Sequence, residues 1–155
     1  MLKELELKVP PVVVFVIFSV AMYGIHAVDS TWLFLYVPLK EVWIGLLVLV
    51  SGYFGVSGVR EFHRLSTTVD PTRPYKASKV VDSGVFAVTR NPMYVALYCL
   101  LLAWGVYLED VLGLLVSLLF IVYMTRFQIK PEERILEEKF GTGYRDYKAK
   151  VRRWI

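Results

Sequence analysis

The sequence predicts an all-α integral membrane protein with four transmembrane helices, a cytoplasmic loop and a C-terminal helical tail. Three observations predict it. Hydrophobic residues make up 56% of the chain and mean hydropathy is +0.51, above what a soluble domain carries. The apolar excess is gathered into four long runs. The basic residues are distributed very unevenly between the segments that join those runs. At 155 residues the chain is expected to be a single domain, 1–155.

Met1 to Lys8 is a short charged lead-in. Val9 to Val28 is then apolar apart from His26, long enough to cross a hydrocarbon core of roughly 30 Å. A run of that length without a small-residue cleavage site reads as a spanning helix rather than a secretory signal. His26, close to the end of the run, reads as an interfacial or packed histidine. Asp29 to Glu41 forms an outer connection in which Trp32, Phe34 and Tyr36 suit the membrane interface. Val42 to Val59 is the second run. Gly45, Gly52, Gly55 and Gly58 with Ser51 and Ser57 give it a small face, which favours close helix packing over a binding site.

Residues 60–91 are the one long polar connection, and Pro71 and Pro74 argue against a continuous helix through it. Asn91-Pro92 reads as a helix start, an N-cap followed by proline at the first helical position. Pro92 to Leu108 and Val111 to Phe127 are the third and fourth runs. Only Glu109 and Asp110 separate them, so the two must form a tight antiparallel hairpin. Arg126, near the end of the fourth run, can snorkel to the boundary.

Of the 18 basic residues, Lys40 alone falls in the first connection, and none lies between runs three and four. The positive-inside rule then puts both termini and the long loop in the cytoplasm. In the tail, residues 128–155, Pro131-Glu132-Glu133 reads as a helix first turn and Gly141 as its stop. Tyr144, Tyr147, Val151 and Trp154 then recur at helical spacing among basic residues, a pattern suited to lying on an anionic membrane surface.

Function classes narrow from here. The single Cys99 lies in an apolar run, and His26 and His63 have no metal-ligand spacing, so no metal site is expected. No Gly-x-Gly-x-x-Gly follows a strand, no Ser/His/Asp or Cys/His set is visible, and no nucleic-acid partner is expected. The polar material converges on the cytoplasmic mouths of runs three and four. There Arg90, Asn91 and Tyr94 can meet Glu132 and Glu133. From the residues alone this is a membrane-embedded pocket with paired carboxylates and arginines, short of a reaction.

Ser83-Gly84-Val85-Phe86, Arg90-Asn91-Pro92-Met93-Tyr94, Glu132-Glu133-x-x-Leu136, Phe140-Gly141, Tyr144, Tyr147 and Val151-x-Arg153-Trp154 stand in order over roughly the last 75 residues. As a set they resemble the isoprenylcysteine carboxyl methyltransferase family, which is related to the phospholipid N-methyltransferases. The resemblance implies a small membrane enzyme that uses S-adenosylmethionine, releases S-adenosylhomocysteine, and methylates a lipophilic acceptor among the membrane lipids. It implies a cofactor pocket lined by Lys79, Val80, Val81 and Phe86 from the loop. Asn91, Pro92, Met93 and Tyr94 follow from the third helix, with Glu132 from the tail.

Two positions depart from the family pattern. Asn91 stands where His is common, and Gln128 stands where an arginine is thought to hold the acceptor carboxylate. Arg126 and Lys130 flank Gln128 and can take over that role, with Arg90 as a second candidate for the catalytic site. A carboxylate acceptor is the first expectation, and an amine lipid the alternative. A membrane NADPH-dependent sterol-type reductase and a non-enzymatic membrane scaffold are the rivals from other classes.

Overall fold

A computed structural model of the protein describes residues 6–28, 35–66 and 73–155. Trp32, Phe34 and Pro71, to which the sequence assigned interfacial and loop roles, lie outside the described residues. Those described are helical, with no β-strand among them: α1 (Pro11–Val28), α2 (Lys40–Arg64), α3 (Pro92–Leu108), α4 (Val111–Tyr123), α5 (Lys130–Phe140) and α6 (Thr142–Lys150). Two single 3₁₀ turns, Pro74–Lys76 and Gly84–Ala87, punctuate the loop between α2 and α3.

Three helices are long and apolar enough to cross a membrane: Pro11–Val28, Lys40–Arg64 and the continuous rod Val111–Phe140. Pro92–Leu108, at 17 residues, is shorter, about 25 Å at 1.5 Å per residue. It is also the central helix. Tyr94, Val95, Ala96, Cys99, Leu101, Ala103 and Leu108 are all buried, and α3 packs against α1, α2 and α4. The outer helices instead turn Val12, Ile17, Val20, Leu49, Val56, Leu119 and Val122 outward. Apolar side chains displayed on that scale suit lipid rather than water.

The small face of α2 is used over only half its length. A methyl group on Gly55 would meet Ala96 Cβ at 3.5 Å, and one on Gly58 would meet Met93 and Pro92 at 3.2–3.3 Å. Gly45 and Gly52 have nothing within 4 Å, so the packing role holds for the inner half alone. Ser51 Oγ donates to Ala96 O at 2.9 Å and ties the two helices further. Beyond α3, Glu109 adopts a left-handed backbone, and Asp110 caps α4 by accepting from Gly113 N at 2.8 Å. The two-residue hairpin is therefore formed as expected. His26 Nδ1 lies 3.7 Å from Asp110 Oδ2, a packed position at this same end of the bundle.

Three boundaries differ from expectation. First, α2 continues past Val59 to Arg64, because Glu61 pairs with Arg64 at 2.8 Å and accepts from Ser83 Oγ at 3.0 Å, which holds the polar turn. Second, no break separates α4 from α5. A π turn, Met124–Ile129, joins them. Pro131 has no N–H to give the carbonyl four residues back, and Phe127 O accepts instead from Leu7 N of the lead-in at 3.0 Å. Third, the amphipathic helix expected to reach Trp154 stops at Lys150, where Val151 turns extended. Its aromatic residues Tyr144 and Tyr147 point into the core rather than towards a membrane surface.

Candidate active site

The residues after α6 form a strap across the start of α3. Arg90 N donates to Arg152 O at 3.0 Å. Thr89 Oγ1 and Asn91 Nδ2 both donate to Arg153 O, at 3.2 and 2.8 Å. Asn91 thus occupies the N-cap position without capping through its side chain, since that side chain is spent on the strap. Asn91 and Tyr94 at the helix start are both buried. Trp154 Nε1 reaches Thr125 Oγ1 at 3.0 Å, and Trp154 packs against both hydrophobic clusters of the bundle.

Arg90 is nine-tenths buried and ties α3, α5 and the strap together. Its Nη2 donates to Glu133 Oε1 at 2.5 Å, and its Nη1 donates to Lys148 O at 2.8 Å and Val151 O at 3.0 Å. Arg153 grips the same carboxylate through Nε at 2.9 Å and Nη2 at 2.7 Å. Burial pushes the Glu133 carboxyl up, but the hydrogen bonds and charges of Arg153 and Arg90 outweigh it and hold it below the ordinary range. One of the two tail carboxylates is therefore structural.

The other is not. Glu132 Oε1 accepts from Tyr94 Oη at 2.5 Å and from Gln128 Nε2 at 2.9 Å. Its Oε2 meets no donor among the described residues. Burial pushes its carboxyl up to about 8, against the two donated hydrogen bonds and with the help of the neighbouring Glu133 charge. It stands just beyond the apolar part of the α4 rod, on the polar side of the π turn.

Glu132 lines a cavity of about 110 Å³ that opens to the outside. Lys79, Val80, Val81 and Phe86 line it from the loop, and Arg90, Asn91, Pro92, Met93 and Tyr94 from the start of α3. Every residue to which the resemblance gave a cofactor contact is thus brought to one space. The sequence reading missed Phe62 of α2, Pro74, Ala77, Leu136, Tyr144 and Tyr147. The helical spacing of Tyr144 and Tyr147 was visible, but their face was assigned to the membrane. Tyr147 Oη donates to Phe86 O at 2.7 Å, which closes α6 onto the loop.

Two expected acceptor residues do not line this space. Arg126 pairs with Glu6 at 2.8 Å and stacks over Phe127, with its cation 5.4 Å from the ring. Gln128 is buried behind Glu132 and acts on it directly. Lys130, the other flanking cation, is exposed on the outer surface.

Residues 40–143 match the family described as phospholipid methyltransferase. The chain belongs to that family. The matched stretch begins at the first residue of α2, well before the motifs that suggested the relationship, and ends at the second residue of α6. The family sits in the same methyltransferase group as the isoprenylcysteine carboxyl methyltransferases. A stretch of 63 residues is 49% identical to an uncharacterised protein of Haemophilus influenzae, covering 41% of this chain and all of that protein. No solved structure matches the chain.

Proposed function

We propose that the protein is an S-adenosylmethionine-dependent methyltransferase acting on the amine headgroup of a membrane phospholipid. The observation that carries the acceptor assignment is the state of the charged groups around the cavity. Arg90 is committed to Glu133 and two carbonyls, and Arg126 to Glu6, while Glu132 turns an open carboxyl oxygen to the cavity. A carboxylate acceptor would approach a carboxyl group, and the Arg90 Nε–H, unpaired among the described residues, is buried away from solvent. An ammonium finds the complementary partner.

The residues fit the methyl donor. Apolar and aromatic walls (Val80, Val81, Phe86, Tyr144) suit an adenine ring, with few polar groups converging from the two ends. Lys79, an exposed cation on the cavity wall, suits the donor's carboxylate. When bound, the donor supplies an electrophilic methyl group on a sulfonium. The chain aligns the acceptor with it and excludes water. In this reading α3 is the fourth crossing, the whole of 1–155 is one enzyme domain, and the cavity and both termini face the cytoplasm, with the lipid entering sideways between helices.

Calorimetric titration of detergent-purified protein tests the reading. Binding of S-adenosylhomocysteine without binding of NADPH is expected. NADPH binding alone would favour the reductase reading, and neither ligand binding would favour a scaffold.

A further inference from the structure

Resting on that reading, we propose that Glu132 is the proton acceptor of the methyl transfer, held in place by Tyr94 and Gln128 and serving through its free Oε2. An ammonium headgroup has no lone pair, so it must lose a proton before its nitrogen can attack. The base has to be reachable from the cavity, uncommitted and close to neutral in its titration.

The groups around the cavity can be compared directly. Glu133, next to Glu132 on α5, is occupied on both oxygens by Arg90 and Arg153. Arg90, before α3, and Lys79, in the loop, are cations. From α3, Tyr94 already donates its proton to Glu132. Tyr144 and Tyr147 of α6 face the same space, and burial pushes both phenols up, away from neutral chemistry. Glu132 alone offers an unoccupied basic oxygen. Both donors to it fall on Oε1, from two different elements, α3 and the π turn. That geometry fixes the carboxyl plane and leaves Oε2 for the cavity.

Gln128 is the tuning residue. A cation at this position would hold Glu132 ionised and poorly basic, as an opposite charge does to any carboxyl. The neutral amide donates a hydrogen bond without that penalty. Burial then keeps the carboxyl up near 8, where a base is most effective at physiological pH. The step balances. The ammonium N–H breaks and its proton goes to Glu132 Oε2. The freed nitrogen lone pair forms the new N–C bond, and the electron pair of the breaking C–S bond stays on sulfur. Glu132 then returns the proton to water, so one methylated ammonium, one thioether and one proton leave for each turnover.

Three measurements test this on the full chain in detergent or proteoliposomes. Glu132→Gln should lower kcat by roughly 10²–10⁴-fold, the usual contribution of a general base, while S-adenosylhomocysteine affinity changes less than about threefold. A protonated carboxyl band should appear in the infrared spectrum of the ligand-free protein near neutral pH. It should vanish as pH rises through about 8 and be missing in Glu132→Gln. Gln128→Arg should move the rising limb of kcat/KM to lower pH, and Tyr94→Phe should move it to higher pH, so that the failure of one variant to fold leaves the other. A ten- to hundredfold loss of S-adenosylhomocysteine affinity in Glu132→Gln, equal to the loss in turnover, would make Glu132 a cofactor ligand and overturn the proposal. So would an ionised carboxylate at pH 6, or turnover retained in the variant. Failure of the wild type to bind S-adenosylhomocysteine would instead overturn the methyltransferase reading itself.

Discussion

Glu133→Gln should be the most destabilising conservative change in the tail. The substitution keeps the shape and removes the charge that Arg90 and Arg153 share. Arg90 and Glu133 each expose only 7% of their side chains, whereas Arg153 exposes 30%. Removing one partner of a buried pair costs about 3–5 kcal/mol, because the other charge is left uncompensated. The outer pair is screened and is worth at most about 1 kcal/mol. The loss should therefore come almost wholly from Arg90, whose release also frees the carbonyls of Lys148 and Val151 and loosens the strap. Equilibrium unfolding in mixed detergent and dodecyl sulfate micelles, read by tryptophan fluorescence, provides the assay, with Trp154 reporting the strap. Arg153→Gln should lose about 1 kcal/mol or less. A loss below about 1 kcal/mol in Glu133→Gln, or equal losses in the two variants, would mean that the buried Arg90–Glu133 pair does not hold the strap.

Glu132 and Glu133 should impose opposite pH trends on the ligand-free protein. Glu133 is held low, so its contribution is present above the ordinary carboxyl value of 4.5 and fades as pH falls through it. Glu132 is held high, so the folded state binds the extra proton and stability falls as pH rises from 4.5 to about 8; Glu132→Gln should flatten that decline in thermal melts taken across the range. Gly84→Ala should lower unfolding free energy by about 1–3 kcal/mol, because a side chain at φ +58° is strained and its Cβ would lie 2.7 Å from Glu61 Oε1; an unchanged melt would mean the turn relaxes freely. Cysteines introduced at Lys3 and Arg152 should react with an impermeant reagent only from the cytoplasmic side, and exterior labelling of either would contradict the four-crossing topology.

The helices were legible in the sequence because length and hydropathy alone dictate them, and the Glu109-Asp110 hairpin because two residues leave no alternative. The cavity wall was legible through the motifs around Arg90-Asn91-Pro92 and Glu132-Glu133. What stayed hidden depended on long-range partners. The run through Pro131 looked like a helix start because proline lacks an N–H; that Leu7 would satisfy Phe127 O, and so permit a continuous rod, has no local signal. Tyr144 and Tyr147 had the right period but an ambiguous face, since an aromatic stripe fits a membrane surface and a pocket equally well. Arg126 looked available for an acceptor because nothing in the pattern ties Glu6 to a residue 120 positions away. The division of labour between Glu132 and Glu133 likewise follows from which of them the strap reaches.

Methyl transfer to an amine lipid can be read from the labelled product itself. The purified protein would be reconstituted in vesicles of phosphatidylethanolamine doped with a prenylated cysteine bearing a free carboxylate, supplied with isotope-labelled S-adenosylmethionine, and the lipids resolved by mass spectrometry. Label should appear on the phospholipid nitrogen and be lost in Glu132→Gln. Label on the carboxylate, with the phospholipid unmodified, would make the protein a carboxyl methyltransferase instead.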